Sequence, residues 1–345
     1  MMFRRFTGTA AALAAAVLLS LNCFAAPATC ARSMILMDAD TGAILLEKDC
    51  DRPSLIASTT KIMTALVVVE RCELDRSVTI PPEATGIEGS SMYLKPGEEL
   101  TVRELLYGLM LHSGNDAAVA LALACGGSVE RFVSWMNDTA RRLELCNTHF
   151  ANPNGLDDDG NYSTARDLAE MTRYAMKNPD FLQIVSTRSI RVGRRCLTNH
   201  NKLLWSLEGA LGVKTGYTRA AGRILVSAAQ RGGRRLIAVT LNDGNDWRDH
   251  AALYEYGFSQ YEMCTAIHRG DCVAALDLMD GTQAGLRAGE DFSCMLGTAE
   301  TVRVRILYPV YAFAQGAPGT PAGVGAVYLG QTCIGTVPLL WGEQE

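Results

Sequence analysis

Three short strings, far apart along the chain, restrict its fold more than any other feature. They are Ser58-Thr59-Thr60-Lys61, Ser113-Gly114-Asn115 and Lys214-Thr215-Gly216, in that order. Each string alone arises often by chance. The ordered set reads as one acyl-transfer site, in which a serine attacks an acyl carbon and a lysine takes its proton. Such a site exists only if the polymer folds so that all three strings meet.

The local context of each string suits that task. An apolar run from Ile62 to Val69 follows the Ser-Thr-Thr cluster, which predicts a buried helix whose first turn carries Ser58 and Lys61. Residues three apart share a helix face, so the Lys61 amine reaches the Ser58 hydroxyl. Unpaired N–H groups at a helix start favour the negative charge that develops there. Lysine serves as a base only when neutral, and burial beside a second ammonium, Lys214, drives its pKa down. Ser113 to Asp116 lies between the helical patterns Val102 to Leu111 and Ala117 to Ala124, on a tight connection. There the Ser113 hydroxyl is suited to passing a proton and the Asn115 amide to holding a peptide oxygen. Lys214 to Thr218 precedes two strand patterns, Ile224 to Ala229 and Arg235 to Leu241, joined at Arg231-Gly232-Gly233. It is therefore expected on an antiparallel sheet edge, where Gly216, lacking Cβ, lets a substrate backbone lie close. His112 reads as a packed or solvated side chain.

The composition, 48% hydrophobic and 20% charged over 345 residues, is that of a globular chain able to bury one large core and a smaller one. A net charge of −5 gives no basic surface for nucleic acid. Eleven cysteines are scattered without a Cys-x-x-Cys pair, and no His-Glu-x-x-His string occurs, so neither zinc nor thioredoxin-like chemistry is supported and no cofactor is expected. The absence of Gly-x-Ser-x-Gly argues against a Ser-His-Asp hydrolase. Arg4-Arg5, an apolar stretch from Ala10 to Leu21 and small residues ending near Ala26 predict a signal peptide and export, with the general secretory route favoured over a twin-arginine one. Leu21-Asn22 before Cys23 is a poor lipidation signal.

The strings and their surroundings resemble the penicillin-recognising serine acyl enzymes, and within them the D-alanyl-D-alanine carboxypeptidases of the low-molecular-mass penicillin-binding class. The resemblance is carried also by Met37 to Gly42, by Ala57 to Ala65, by Ser113 to Ala118, by Thr148 to Leu156 and by Ser163 to Ala169, and spans roughly residues 33 to 260. It implies an α/β fold of the α+β type: a mostly antiparallel sheet flanked by helices, with a helical subdomain from about Pro82 to Asp180 inserted. The resemblance assigns Ser58 as nucleophile, Lys61 as base, Ser113 as proton relay, Asn115 as substrate amide holder and Lys214 as electrostatic anchor. Thr215 would bond the substrate carboxylate, Arg248 is a weaker candidate for the same charge, and the N–H groups of Ser58 and Tyr217 would form an oxyanion hole. The implied reaction removes the last D-alanine from a peptidoglycan stem through a Ser58 acyl-enzyme. β-Lactams would be covalent inhibitors, and no metal takes part. A β-lactamase or esterase on the same scaffold, or an idle wall-binding protein, are the alternatives. The class A β-lactamase string Glu-x-x-Leu-Asn is absent between the second and third strings, and Asn161 stands where many relatives have histidine.

From about Tyr261 the composition changes to short β-branched runs split by Gly and Pro clusters, among them Val302 to Val310 and Gly325 to Leu329. The expected organisation is therefore residues 1–26 as signal peptide, 27–261 as catalytic domain and 262–345 as a small β-rich domain. The family often adds an amphipathic helix that lies on the membrane. Leu339 to Glu345 does not read as one, so a released or wall-associated enzyme is expected.

Overall fold

The computed structural model describes residues 26–279, 281–297, 300–308 and 315–342. The expected signal peptide lies outside these residues apart from its final position, as do Val310 and the last three positions.

The first strands are β1 (Ser33–Asp38) and β2 (Ile44–Lys48). A 3-10 turn, Ala57–Thr60, then runs into helix α1 (Lys61–Arg71). Four helices follow, α2 (Val102–Leu111), α3 (Asn115–Gly126), α4 (Val129–Arg142) and α5 (Ala165–Ala175), then α6 (Pro179–Ser186). The chain returns through β3 (Ala210–Thr218), β4 (Gly222–Arg231), β5 (Arg234–Leu241) and α7 (Asp246–Gln260). Strand order is β2-β1-β5-β4-β3, antiparallel throughout, so the first strand of the chain pairs with the strand that closes the sheet 200 residues later.

Both faces of this sheet are covered. In β1, Ile35 and Met37 face the core that holds α1 and α5, while Met34 and Leu36 face Leu253, Tyr254 and Phe258 of α7. In β5, Ile237 and Val239 take the first face and Leu236 and Ala238 the second. Strands buried on both faces read as continuous apolar runs, and that is how β4 and β5 are recognisable in the sequence.

Helix α1 runs through the middle of the larger core, every residue from Lys61 to Val68 being buried. Around it pack α2 to α6, with ends fixed by local chemistry. Thr101 and Glu104 close a reciprocal capping box on α2, Thr164 caps α5 through the Asp167 N–H, and Gly127 ends α3 with φ 77°. Cys72 and Cys125 form a disulfide that ties the end of α1 to α3.

After α7 come β6 (Tyr261–Ile267), β7 (Cys272–Asp277), β8 (Gln283–Ala288), β9 (Phe292–Gly297), β10 (Val302–Tyr308), β11 (Pro321–Leu329) and β12 (Thr332–Trp341). β6 pairs with β9, and the rest form a second five-stranded sheet, β7-β8-β12-β11-β10. Its core of Leu276, Leu286, Val327, Val337 and Leu339 also takes in Ala43 from the β1–β2 connection. Tyr261 Oη donates to the Leu45 carbonyl at 2.8 Å, and Met295 of β9 packs into the core under α7. The β-rich part is thus packed against the rim of the first sheet. Among the described residues no single helix is long and apolar enough to cross a membrane.

Candidate active site

The three strings converge, and the manner of convergence corrects two expectations. Ser58 does not lie in the first α-turn. It sits in the 3-10 turn, Lys61 opens α1, and Ala57 between them and the preceding strand has φ 45°. A non-glycine residue there is strained by about 1–3 kcal/mol and persists because its surroundings fix it. The fixing contact is visible: Gly155, at φ 83°, lies so close that a Cβ on it would stand 2.0 Å from the Ala57 carbonyl oxygen.

The second correction concerns Gly216. It lies in β3, the edge strand expected for the Lys-Thr-Gly string. A Cβ there would meet Ile56 O (3.2 Å), Thr59 Cγ2 and Thr59 N (3.3 Å each), a close approach within the protein that the expected substrate contact did not include, and Gly216 itself lines the cleft. The missing side chain lets the edge strand press onto the 3-10 turn, which brings Ser58 and Thr215 to one cleft.

Lys61 is completely buried. Its Nζ donates to Ser58 Oγ at 3.1 Å, to Asn115 Oδ1 at 2.6 Å and to the Asn154 carbonyl. Burial, and then the Lys214 ammonium, holds its pKa well below the lysine range, with Asp116 pulling the other way. In the neutral amine, two N–H bonds go to the two carbonyl-type acceptors, Asn115 Oδ1 and Asn154 O. The lone pair is then left for the third neighbour, the Ser58 hydroxyl, which becomes the donor.

Asn115 opens α3 directly after the turn that holds Ser113, itself at φ 60°. Its amide nitrogen donates to the Glu88 carbonyl at 2.6 Å, so both ends of that amide are engaged within the protein and one N–H remains. Asp116 is buried and accepts from Ser91 Oγ, Met92 N and Leu94 N, pinning the loop that carries Ser90 to the cleft wall. Lys214, also buried, donates to Ser113 Oγ at 3.0 Å and to its neighbour's carbonyl, Thr215 O, at 2.9 Å, leaving one ammonium proton for a ligand. Burial pushes its pKa down to about 7. Among the described residues Ser113 makes no hydrogen bond to Ser58 or Lys61; its hydroxyl is held by Lys214.

Ser58 and Ser113, with the buried lysines behind them, open onto a cleft of about 560 Å³ whose lining also includes Thr215, Gly216, Tyr217, Ser90, His200, Arg223, Asp246 and Trp247. Arg248 is not part of it. Its side chain is exposed on α7, and the arginine in the cleft wall is Arg223. His200 packs against His112 with ring centroids 5.1 Å apart and planes tilted by 50°, and burial with the Lys214 charge pushes its pKa to about 4. Asn161 lies behind the cleft, buried, with its amide nitrogen 3.4 Å from Thr60 Oγ1 and from Asn152 Oδ1 and its carbonyl oxygen without a partner. Its hydrogen bonds tie the 3-10 turn that holds Ser58 to the loop from Asn152 to Leu156.

Of the residues missing from the sequence reading, Asn154 acts through a backbone carbonyl, which no side-chain motif announces. Arg223 had a legible signal. In the β3–β4 hairpin Gly222 pairs with Thr218, so Arg223 must stand opposite Tyr217, one residue before the apolar run that marks the strand.

The sequence pattern of the D-alanyl-D-alanine carboxypeptidase family matches residues 22–245. The D-alanyl-D-alanine carboxypeptidase DacF of Bacillus subtilis is 36% identical over 266 residues, 73% of this chain and 68% of that protein. DacB2 of Mycobacterium tuberculosis is 39% identical over 241 residues, 66% of this chain and 82% of its own. Penicillin binding protein 5 of Haemophilus influenzae superposes with a TM-score of 0.75 at 28% identity, covering 92% of this chain and 98% of its own.

Proposed function

The chain belongs to the D-alanyl-D-alanine carboxypeptidase family, and on that premise we propose that its cleft removes the terminal D-alanine from peptidoglycan stem peptides through an acyl-enzyme on Ser58. The observation that carries the reading is the buried Lys61 amine, 3.1 Å from Ser58 Oγ and otherwise satisfied by Asn115 and Asn154.

The neutral Lys61 takes the Ser58 proton as Oγ attacks the carbonyl carbon between the two D-alanines. The N–H groups of Ser58 and Tyr217 receive the developing oxyanion. Ser113, its hydroxyl polarised by Lys214 at 3.0 Å, gives its proton to the leaving amine and takes up in exchange the one that Lys61 removed from Ser58, which leaves Lys61 neutral again. Asn115 uses its remaining N–H on the substrate amide oxygen, and Lys214 and Thr215 hold the terminal carboxylate on the other side. Water then hydrolyses the ester by the same groups in reverse, releasing the shortened stem and freeing Ser58. A penicillin presents an acyl carbon and a carboxylate at similar separation, so it acylates Ser58 and leaves slowly. The substrate is a wall polymer, and the apolar N-terminal segment fits export, so the enzyme acts outside the cytoplasmic membrane. Residues 27–261 are the catalytic part and 262–345 an accessory one.

The test is release of D-alanine from a diacyl-Lys-D-Ala-D-Ala peptide beside turnover of a chromogenic cephalosporin. Stem cleavage with little cephalosporin turnover is expected; the reverse result assigns the scaffold to β-lactam hydrolysis. Ser58→Ala is expected to abolish attachment of labelled penicillin, and labelling that persists in that variant removes Ser58 as nucleophile.

A further inference from the structure

The cleft lining contains a cation of its own, in addition to the buried Lys214. Arg223 stands at the start of β4 and, through Nε and Nη2, forks onto Asp246 at 3.1 and 2.6 Å. Asp246 is buried in the first turn of α7, where its Oδ1 also accepts the Trp247 N–H at 2.9 Å. The Trp247 ring lies 5.9 Å from the guanidinium carbon. The acid is thus held on one side and the guanidinium is held by the acid.

The exposures differ sharply: the Asp246 side chain is 4% accessible and the Arg223 side chain 44%. Only the Nε–Nη2 edge of the fork is spent on Asp246. The end-on edge, Nη1 with the second proton of Nη2, has no partner among the described residues and belongs to a wall of the cleft that also contains Ser58, Ser113 and Thr215. An end-on guanidinium edge matches a carboxylate in a planar, bidentate fashion, and arginine stays charged at every working pH.

We propose that Arg223, positioned by Asp246, binds the free carboxylate at the end of the substrate and thereby restricts the cleft to chain ends. This rests on the function proposed above and adds to it a residue that Lys214 and Thr215 do not replace. Lys214 has one donor left for the ligand, whereas Arg223 supplies a two-pronged site whose charge does not titrate. A peptide bond within a longer chain presents a neutral amide at that point and gains nothing from the fork.

The test compares acylation rates with benzylpenicillin and with its methyl ester, which has no free carboxylate. In Arg223→Gln the acid is expected to react about 10- to 100-fold more slowly, the loss of a charge-assisted pair, while the ester reacts as in the unaltered enzyme. Arg223→Lys is expected to recover part of the rate with the acid, and Asp246→Asn to lose a smaller part, also with the acid only. An equal loss with both ligands means a structural role and overturns the proposal. An unchanged acid-to-ester ratio in Arg223→Gln, or the loss appearing in Arg248→Gln instead, overturns it as well. An unaltered enzyme that neither ligand acylates overturns the function itself, a result distinct from acylation with an unmoved ratio.

Discussion

At the scale of single residues, the site combines two buried lysines whose charges are wanted in opposite states. In the proposed reaction Lys61 is neutral, to accept a proton, and Lys214 charged, to attract a carboxylate. Burial lowers both, and the Lys214 ammonium lowers Lys61 in addition, against the pull of Asp116. The rate of acylation by a carboxylate ligand is therefore expected to rise with pH through the depressed Lys61 value and to fall above about pH 7 as Lys214 loses its proton. In Lys214→Arg the alkaline fall should vanish from the pH profile, since arginine does not titrate there; an alkaline limb that stays near 7 would sink the assignment. Lys61→Ala should slow acylation about 10²- to 10⁴-fold, the usual worth of a general base. A different residue contributes to acid stability. His250 is buried between Ser227 Oγ (2.6 Å to Nδ1) and Thr240 Oγ1 (3.0 Å to Nε2), and burial depresses its pKa to about 3. The unfolded chain binds this proton near pH 6.5 and the folded one only near 3, so stability from this group is complete above 6.5 and is lost as pH falls between those values. Urea midpoints measured from pH 7 to 4 should decline on that account, and less so in His250→Leu, whose neutral-pH stability is lower by about 1–3 kcal/mol for the two hydrogen bonds lost.

At the scale of elements, the chemistry depends on three pieces of backbone pressed together: the 3-10 turn with Ser58, the edge strand with Lys214, and the loop from Asn152 to Leu156. Two glycines permit the approach. Gly155→Ala would drive a methyl onto the Ala57 carbonyl at 2.0 Å and strain a φ of 83°, displacing the nucleophile turn. Gly216→Ala meets backbone at 3.2–3.3 Å, a tighter fit that needs only a small retreat. The expected order in a thermal melt and in penicillin acylation is therefore unaltered, then Gly216→Ala, then Gly155→Ala, with the last losing most of its acylation. Equal tolerance of both would show that the contact does not set the site. The elements themselves were largely legible. The helix after Ser58, the turn at Ser113, the edge position of Lys214 and the hairpin at Gly232-Gly233 are all as read, because each rests on local periodicity and turn chemistry. The 3-10 geometry at Ser58 and the purpose of Gly216 were not, since both answer to contacts with segments distant in sequence.

At the scale of the whole molecule, the β-rich part and the first sheet share apolar surface. Met295 of β9 is fully buried with Leu36 and Leu253, and Tyr261 bonds the Leu45 carbonyl. Met295→Ala should cost about 2–5 kcal/mol, as a cavity opened in a core that cannot collapse, and Tyr261→Phe about 1 kcal/mol. With these contacts coupling the two parts, a calorimetric scan is expected to give one transition that Met295→Ala moves down as a unit. Two separated transitions, with only the second moved, would mean that the parts unfold independently.

The chain alone determined which chemistry was available: a serine three residues before a lysine, a hydroxyl and an amide on a helix connection, and a lysine on a strand edge. The fold class followed from the family resemblance that those strings carry, while apolar pattern marked single elements, the buried helix after Ser58 and the strands β4 and β5. Tertiary structure alone decided which acceptors leave the Lys61 lone pair facing Ser58, which cation lines the cleft, and why glycine stands at 155 and 216. Those are distances between segments far apart in the chain, and local pattern contains no information about them.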